Sequence, residues 1–512
     1  MDKLLKEIQP ALKFIKSKRL NEAKENLMNL ISIYPRNFLA FNLIGQIELN
    51  LKNFKNSVSF FKQGLKVKPD YFDLNFNLSN TLILIKDFKQ AVYYLNVCRD
   101  INKSIPDIYF SLGISHKELN QFSLAKENYI KCLELDKNHN RAKYNLAKIL
   151  SIEGNYEEAA KLYKKILQIN PLFFKALLNL SNHYFFKKEY DKSLDYINKS
   201  LTIDPSSALS KYNKSLILLK IGKFKEGWEL YENRWLIGSK KFIMLPAAKK
   251  PFNIEKILTE KLLIWFEQGL GDEIMFCSIL TKFKDIKNLI SCKCDQRLIS
   301  LFKNSFPNIN FYDHEACLSK IDFVTHIPAG SLFKYYKNNL CDFDGKPYLI
   351  SNNFQDIDEK INQIKKDNYK IIGLSWKSSN KEFGDKSLDI EKMFEIFGNK
   401  KFTFVNLQYG DVSEDIEKIK KKFSKNIYSI SDNSSDIDRL ACLISKCDEV
   451  ISIDNLTVQL SGSLGVKTRV LLHCRNDWRW LKNSNQSYWY RSLRIYHQTN
   501  DFSWDDALIN LK

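Results

Sequence analysis

The sequence predicts an array of paired helices followed by an α/β region built on parallel sheets. Three observations carry this prediction: a 34-residue period in the first half, short apolar runs alternating with helical patterns in the second half, and a proline-containing linker between the halves. At 512 residues and 44% hydrophobic content, the chain is long enough for roughly two to four domains with cores of their own.

The first half repeats with the period of tetratricopeptide arrays. Pro35, Pro69, Pro171 and Pro205 lie 34 residues, or three times 34 residues, apart. On the second predicted helix of each unit a small residue precedes a large one by four positions, and the small residues are Ala23, Ser57, Ala91, Ala125, Ala159, Ser193 and Gly227. Because one unit cannot bury its apolar face alone, about seven units over residues 1–235 are expected to stack into a right-handed superhelix with a concave groove.

This groove predicts a protein or peptide partner for the array. Asparagines on the first helices are candidates for bonding a peptide backbone, and they are Asn42, Asn75, Asn77, Asn145, Asn179 and Asn213. A spacer or a dimerisation surface is the alternative role. Residues 236–260, which carry Pro246 and Pro251, form the predicted linker to the second half.

The second half alternates predicted strands with helical patterns. A first set of strands is expected near residues 262–266, 288–292, 309–312 and 322–326, and a second set near 370–376, 402–407, 449–453, 469–473 and 493–496. This alternation is typical of parallel sheets covered on both faces. Residues 261–350 and 368–512 are therefore predicted to form two Rossmann-like lobes, with ligands at the carboxyl ends of the strands.

Charge and composition argue against several classes of protein. The net charge of +20 comes almost entirely from lysine interspersed with acids, which favours solvated helix faces over a nucleic-acid site, since such sites usually depend on arginine. No apolar run is long enough for a membrane span, and the amphipathic N-terminus lacks the features of a signal peptide, so a cytoplasmic location is expected. The ten cysteines form no CxxC pair, which favours reduced core positions over metal ligands or disulfides.

The stretch LLIWFEQGLGDEIMF, at residues 262–276, predicts a strand, a glycine turn and the start of a helix. The turn comprises Glu267, Gln268, Gly269, Leu270, Gly271 and Asp272. Glycines let the backbone approach a ligand, and the new helix offers unpaired N–H groups, so the turn by itself is typical of an anion cradle. Asp272 either faces the cleft or caps the helix. A dinucleotide fingerprint would need glycine at Ile274, which disfavours an oxidoreductase.

A second group of polar residues follows the predicted strands of the second lobe. It comprises Ser378, Lys386 and Ser387 after the strand near 370–376, and Asp454, Asn455, Gln459 and Gly462 after the strand near 449–453. A strand-end carboxylate beside a helix N-terminus suits a sugar nucleotide, because the carboxylate accepts hydroxyl hydrogen bonds and the N–H groups bind phosphate. Five arginines near the end of the chain indicate fork-type recognition or interdomain salt bridges, and they are Arg469, Arg475, Arg479, Arg491 and Arg494.

At these residues the chain resembles bacterial tetratricopeptide-repeat glycosyltransferases whose catalytic half is related to heptosyltransferases. The motifs that carry the resemblance are GWELYENRW (227–235), EQGLGDEIMF (267–276), GLSWKSSN (373–380), LQYG (407–410), SIDNLTVQLSGSLGVKTRVLL (452–472), DWRW (477–480) and SYWYRSLRIYHQ (487–498). Seven motifs in the expected order make the resemblance specific, and the resemblance runs over essentially the whole chain.

The resemblance implies a GT-B fold and metal-independent, inverting transfer of a sugar from a nucleotide-sugar donor to an acceptor hydroxyl, with no other cofactor. It places the donor in the lobe at 368–512 and the acceptor near the lobe at 261–350. Asp272 would act as the base, while Asp454 would orient donor hydroxyls. The leaving diphosphate would be stabilised by Ser378, Lys386 and the N–H groups near Gln459. Glu267, Gln268, Gly269, Gly271 and Trp376 would line or support the cleft.

Three positions depart from the family pattern. Asn455 and Gln459 stand where the family usually has a small hydroxyl residue and a histidine, and Lys386 stands where it has an arginine. Glutamine keeps a hydrogen bond but cannot titrate. The alternative to an enzyme is therefore a catalytically degenerate repeat scaffold for protein–protein interaction. By analogy with peptide-modifying enzymes that carry such arrays, the expected acceptor is a protein side chain.

Overall fold

The structure is a computed structural model that describes residues 2–238, 244–246, 250–286, 289–366, 369–378, 386–397, 401–430, 436–482, 484–499 and 502–511. Within it the chain forms two compact units, Met1–Leu180 and Ser181–Lys512. The predicted domain bounds at residues 235, 260, 350 and 368 stay predictions. Residues 368 and 288, at which a predicted lobe and a predicted strand begin, lie outside the described residues.

Fourteen consecutive helices occupy residues 2–231, a stretch that the structure describes throughout. They are α1 (Asp2–Lys16), α2 (Leu20–Ile33), α3 (Phe38–Asn50), α4 (Phe54–Val67), α5 (Phe72–Leu84), α6 (Phe88–Ile101), α7 (Pro106–Glu118), α8 (Phe122–Leu135), α9 (Asn140–Ile152), α10 (Tyr156–Ile169), α11 (Phe174–Phe186), α12 (Tyr190–Ile203), α13 (Ala208–Lys220) and α14 (Phe224–Tyr231). Helices α1–α10 belong to the first unit and α12–α14 to the second, and α11 crosses the division. The repeats predicted for the N-terminal half are confirmed.

Small residues on the first helix of a pair allow the second helix to pack closely against it. A Cβ atom at Gly45 would lie 2.4 Å from the Phe61 ring, and one at Gly113 would lie 2.5 Å from the Tyr129 ring. Both rings are fully buried, and both stand at the large position that recurs in the sequence. The repeated large and small residues therefore mark direct contacts between paired helices, where even a methyl group would clash.

The turn inside each helix pair has the left-handed backbone conformation at one repeat position. The residues with positive φ at this position are Lys18, Lys52, Lys86, Asn120, Gly154, Lys188 and Gly222, each 34 residues after the last. Only two of the seven are glycine. Because the left-handed conformation costs a non-glycine residue roughly 1 kcal/mol or more, the packing of the helices holds the turn in place.

A four-stranded parallel sheet follows the array. Its strands are β1 (Leu262–Trp265), β2 (Ile290–Cys294), β3 (Asn310–Asp313) and β4 (Thr325–Pro328), in the order β3-β2-β1-β4. The accompanying helices are α15 (Leu270–Cys277), α16 (Ile299–Ser305), α17 (Ala329–Tyr336) and α18 (Gln355–Ile364). Every residue of β1 and β2 is buried, as expected of strands covered on both faces.

A six-stranded parallel sheet completes the chain. Its strands are β5 (Lys370–Ser375), β6 (Phe402–Asn406), β7 (Ile427–Tyr428), β8 (Glu449–Ile453), β9 (Thr468–Leu472) and β10 (Leu493–His497), in the order β10-β9-β8-β5-β6-β7. Its helices are α19 (Ile390–Phe397), α20 (Ser413–Phe423), α21 (Ile437–Ser445), α22 (Leu456–Leu464) and α23 (Asp505–Ile509). The predicted parallel sheets are confirmed. Strand β7 was not predicted, because two residues at a sheet edge are too short for an alternating pattern.

One hydrophobic core joins the last helices of the array to both sheets. Its centre is an aromatic cluster of Trp228, Tyr231, Trp478 and Trp489, in which the Trp478 ring lies 5.4 Å from Trp228, 5.9 Å from Tyr231 and 6.3 Å from Trp489. These residues come from the motifs at 227–235, 477–480 and 487–498, so motifs far apart in the sequence pack together. None of the helices in the described ranges combines the length and apolar character needed to cross a lipid bilayer.

Candidate functional site

The glycine turn connects β1 to α15. Within it the left-handed conformation falls on Gln268, whose φ is 76°, while Gly269 has extended backbone and is the N-cap of α15. The Gln268 side-chain amide donates to the Tyr231 hydroxyl at 2.7 Å. A non-glycine residue with positive φ is uncommon and is held by its surroundings. The turn is present as predicted, but its strained residue is the glutamine and not a glycine.

Asp272 lies in the first turn of α15 and belongs to a charge network with the chain after β9. Arg479 donates from Nη2 to Asp272 Oδ1 and from Nη1 to Asp477 Oδ2, the latter at 2.6 Å. Burial raises the pKa of the Asp272 carboxyl, and Arg479 opposes this rise without cancelling it. The backbone of Gly269 also lowers the pKa of this carboxyl, to a smaller extent than Arg479 does. A carboxylate with a raised pKa suits proton acceptance.

Lys386 and Asp454 form an ion pair beyond the carboxyl ends of β5 and β8. The distance from Lys386 Nζ to Asp454 Oδ2 is 3.1 Å, and the two side chains are 7% and 11% exposed. Burial by itself lowers the pKa of Lys386, but Asp454 reverses this effect and the net pKa is raised. The lysine therefore stays charged. A charged lysine beside a carboxylate places a hydrogen-bond donor and an acceptor of opposite charge at the same strand ends.

Asn455 and Gln459 set the N-terminal end of α22. The Asn455 side chain accepts from the Thr457 N–H at 3.0 Å and donates to Ser375 Oγ at 2.7 Å. Gln459 Oε1 accepts from the Tyr490 hydroxyl at 2.8 Å. The bond to Ser375 attaches the start of α22 to the end of β5, and the bond from Tyr490 attaches it to the chain before β10. The N-terminus of a helix attracts anions because its first N–H groups lack partners within the helix.

These residues line one cavity of about 930 Å³ within the unit Ser181–Lys512. The predicted residues that line it are Gln268, Gly269, Gly271, Asp272, Ser378, Lys386, Asp454, Asn455 and Gln459. They follow strands β1, β5 and β8. Strand β1 lies between β2 and β4, and β5 lies between β6 and β8. At such places the strand order reverses, and the connections leave a crevice at the carboxyl ends of the strands.

Helices α11 and α13 form a third wall of the cavity. They contribute Asn182, Phe185, Phe186, Tyr212, Asn213 and Leu216. Of these, only Asn213 is a residue that the sequence singles out, as a member of the asparagine series. The helices of the array therefore take part in the cavity directly, with aromatic rings and amide groups.

Four predicted site residues lie outside the cavity lining. Glu267 is buried and accepts from Arg234 Nη2 at 2.8 Å. Trp376 is fully buried and donates from Nε1 to Asp415 Oδ2 at 2.7 Å. Gly462 packs under a ring, since a Cβ atom there would lie 2.4 Å from Tyr490 Cγ. The remaining one, Ser387, accepts from the Ser378 N–H at 3.3 Å. Ser379 and Asn380, from the motif at 373–380, lie outside the described residues.

Asp477, Trp478 and Arg479 also line the cavity, and of these only Arg479 has a predicted role, as one of the five arginines that indicate fork-type recognition or interdomain salt bridges. The Arg479 guanidinium carbon lies 4.9 Å from the centre of the Trp478 ring. The sequence feature that could have identified these residues is the DWRW motif. It follows β9, which is the neighbour of β8 in the sheet. In the described part of the chain, no group of three or more His, Cys, Asp or Glu residues is placed to hold a metal ion.

Two curated proteins are similar to parts of the chain. Protein FlbA of Caulobacter vibrioides (strain ATCC 19089 / CIP 103742 / CB 15) is 24% identical over 327 residues, which cover 59% of this chain and 54% of that protein. The UDP-N-acetylglucosamine–peptide N-acetylglucosaminyltransferase of Giardia intestinalis (strain ATCC 50803 / WB clone C6) is 29% identical over 92 residues, or 17% of this chain and 6% of that enzyme. The chain thus spans about half the length of the first relative and a small part of the second.

Solved structures of repeat proteins are similar as well. YrrB, a tetratricopeptide repeat protein with an unusual peptide-binding site, has a TM-score of 0.33 and 18% identity, covering 37% of this chain and 98% of its own. A tetratricopeptide repeat protein from Parabacteroides merdae ATCC 43184 has a TM-score of 0.39 and 16% identity, covering 47% of this chain and 95% of its own.

Family models of the tetratricopeptide repeat match three segments of the chain. The segments are residues 39–71, 110–172 and 150–212. All three fall within the fourteen helices described above. The N-terminal half of the chain therefore contains tetratricopeptide repeats.

Proposed function

We propose that the chain is a glycosyltransferase of GT-B type, which moves a sugar from a nucleotide-sugar donor to an acceptor hydroxyl. The observation that carries this proposal is that Asp272 and the group of Lys386, Asp454, Asn455 and Gln459 line the same cavity. The six-stranded sheet supports it further, because its order β10-β9-β8-β5-β6-β7 is that of a doubly wound nucleotide-binding sheet.

In the proposed reaction the acceptor hydroxyl attacks the anomeric carbon of the donor sugar. Asp272 takes the hydroxyl proton, the new C–O bond forms, and the bond from the anomeric carbon to the diphosphate oxygen breaks with its electron pair on the diphosphate. Lys386 and the N–H groups at the start of α22 balance the charge on the leaving diphosphate. Asp454 accepts hydrogen bonds from donor hydroxyls, and Arg479 orients the Asp272 carboxylate.

The repeat array is proposed to recruit a protein acceptor. Residues Asn182, Tyr212 and Asn213 of α11 and α13 line the cavity beside the glycine turn, so a bound peptide would reach Asp272 directly. The similarity to the Giardia enzyme, whose name states a peptide acceptor, agrees with this choice but covers only 17% of the chain.

A panel of nucleoside diphosphates and their sugars tests donor binding by the shift in melting temperature. A ligand that binds the folded chain raises its melting temperature, so we expect UDP, ADP or GDP to do so according to the donor base. If every member of the panel leaves the melting temperature unchanged, donor binding is contradicted.

Asp272→Asn tests the base once a donor is known. We expect turnover to fall by at least about 100-fold, because general base catalysis contributes this much or more, while the shift in melting temperature caused by the nucleotide is retained. Since burial raises the pKa of Asp272, turnover of the unaltered enzyme should also fall as the pH drops through that raised value. Asp313→Asn, at the end of β3 and outside the cavity lining, is the control and should keep full turnover. Unaltered turnover in Asp272→Asn would exclude its role as base.

A noncatalytic scaffold is the second candidate function. It is favoured by Gln459, which accepts from the Tyr490 hydroxyl and, as an amide, cannot act as an acid or a base. In that case no nucleotide would stabilise the chain, while a peptide partner of the array would raise its melting temperature.

A further inference from the structure

A second cavity, of about 300 Å³, lies where the α11–α12 turn, the end of α13 and the chain around β10 meet. We call it the basic pocket, and its polar lining residues are Lys188, Tyr190, Lys220, Asn476, Asn485 and His497. It lies within the unit Ser181–Lys512. None of these six residues lines the larger cavity, so the two cavities have separate walls.

The side chains lining the basic pocket that can carry a charge near neutral pH are all basic. Two lysines and a histidine line it, and of its described lining residues none is a carboxylate. Lys188 has the left-handed conformation, with φ at 62°, and among the described residues it forms no ion pair. A further cation is close, because Lys482 Nζ lies 5.4 Å from the centre of the Tyr190 ring. Positive charge without a counterion in a concave site attracts anions.

Lys220 is the buried cation of the pocket. It is only 4% exposed and donates to two neutral oxygens, Asn476 Oδ1 and the backbone oxygen of Asp477, the latter at 2.9 Å. Burial lowers the pKa of Lys220 to about 7, with a smaller lowering effect from Lys188, while the charges of Asp477 and Asp454 oppose this shift. A buried ammonium group is normally paired with a carboxylate, and here no carboxylate oxygen of the described residues bonds to it.

His497 supplies an atom without a partner. Its Nε2 donates to the backbone oxygen of Ser484 at 2.9 Å, while its Nδ1 is buried and has no hydrogen-bond partner among the described residues. Buried polar atoms are usually bonded. Protonation of Nδ1 would turn it into a donor, which an anion in the pocket would favour.

We propose that the basic pocket binds a small dianionic oxyanion of the phosphate type, held by Lys188, Lys220 and His497. The pocket has the volume of roughly ten water molecules, so a phosphate group with a small organic substituent fits it as well as the free ion does. Because Lys220 also donates to the backbone of Asp477, the bound anion would adjoin the residue that holds Arg479. This site is independent of the proposed glycosyl transfer.

Site-resolved lysine labelling tests the proposal directly. The full chain is acylated with an amine reagent with and without inorganic phosphate, at ionic strength matched with sodium chloride, and each lysine is followed by peptide mass spectrometry. We expect saturating phosphate to slow the labelling of Lys188 by about tenfold, the effect of a charge-assisted bond. Lys86 is the matched control, because it holds the same turn position with φ at 65°, and its labelling should not change.

Two outcomes would overturn the proposal. One is labelling of Lys188 at the same rate with and without phosphate, and the other is protection of Lys386 alone, which would place the phosphate in the larger cavity. A parallel arm with glycerol phosphate identifies the source of the bound group. Protection of Lys188 by both compounds supports a pocket that also accepts a phosphate monoester, and protection by inorganic phosphate alone supports a site for the free ion.

A variant provides the second measurement. Lys188→Gln changes a half-buried side chain on a turn and should leave folding intact, while its affinity for phosphate in calorimetry should fall by about tenfold. Lys86→Gln should bind phosphate like the unaltered chain. Equal affinity of Lys188→Gln and the unaltered chain would contradict the assignment, whether or not any nucleotide binds the larger cavity.

Discussion

Arg479 bonds two carboxylates at once, Asp272 through Nη2 and Asp477 through Nη1. Burial by itself raises the pKa of Asp477, but Arg479 and Lys386 reverse this and lower it. Asp272, with fewer cations around it, has a raised pKa instead. The two carboxylates that share the Arg479 guanidinium therefore differ in pKa. Asp477 stays charged, whereas Asp272 is able to exchange a proton. The planar fork of arginine allows this arrangement, which the single ammonium of lysine does not reproduce.

The buried pair Arg234 and Glu267 yields a prediction on stability. Arg234 is fully buried and donates to both oxygens of Glu267, at 2.8 Å and 3.3 Å. Burial raises the pKa of Glu267, and Arg234 offsets part of that rise. Arg234→Met would leave a buried carboxylate without a cation. We expect it to lower the free energy of unfolding by about 3–5 kcal/mol, measured by urea unfolding followed by tryptophan fluorescence.

The double variant Arg234→Met with Glu267→Leu is the control for this pair. Removing both charges also removes the penalty of an unpaired ion, so the double variant should be more stable than Arg234→Met alone. A single variant as stable as the unaltered chain would show that the pair does not hold the end of β1 in place.

His314 and Glu273 predict a pH dependence of stability. His314 Nε2 lies 2.8 Å from Glu273 Oε1, and this hydrogen bond raises the pKa of the histidine above its ordinary value, against the effect of burial. A raised folded-state pKa contributes stability that is fully present below about pH 6.5 and is lost as the pH rises through the raised value. His314→Gln should therefore cost more stability at about pH 6 than at about pH 9. Equal losses in melting temperature at both pH values would contradict this.

At the scale of elements, α22 depends on a close contact between Gly462 and the Tyr490 ring. A Cβ atom at Gly462 would lie 2.4 Å from Tyr490 Cγ, whereas one at Gly269 would meet nothing within 4 Å. We expect Gly462→Ala to lower the free energy of unfolding by about 1–3 kcal/mol through overpacking. Gly269→Ala is the matched control and should change stability little, because its φ of −117° suits alanine. Urea unfolding of both variants provides the comparison, and equal stability of the two would refute the contact.

The helix pairs and the sheets reach their stability by different routes. In the array, the close packing of Phe61 on Gly45 recurs two repeats later as Tyr129 on Gly113, and it depends on neighbours in the sequence. In the sheets, β5 pairs with β8 across two intervening strands, so non-local contacts are needed before the carboxyl ends of the strands meet. The candidate site is built from such non-local contacts.

At the scale of the whole molecule, the last helices of the array share a core with the sheets. Trp228 and Tyr231 are each 1% exposed in that core, and burial of a large apolar side chain contributes about 1.5–3 kcal/mol. A fragment of residues 171–512 retains this core and should unfold cooperatively. A fragment of residues 236–512 lacks it and should melt at a lower temperature or aggregate. Equal melting temperatures for the two fragments would instead support a domain boundary at residue 235.

The sequence alone predicted the repeats and the parallel sheets, because both follow from the spacing of small, large and apolar residues along the chain. The 34-residue period shows the helix pairs, and short apolar runs show the strands at nearly every position where the structure has one. Nine of the site residues that the sequence singled out after predicted strands line one cavity, because the carboxyl ends of parallel strands share one edge of the sheet. Each of these inferences needs only distances along the chain.

Tertiary structure alone decided which side chains are partners. Arg479 lies 207 residues from Asp272 along the chain and donates a hydrogen bond to it. Glu267 lies only five residues before Asp272, but it accepts from Arg234 instead. The turn residue with positive φ is Gln268 and not a neighbouring glycine, and its side chain donates a hydrogen bond to the Tyr231 hydroxyl. Spacing along the chain determines which elements form, but the charge and hydrogen-bond partners of a side chain depend on which elements pack together in three dimensions.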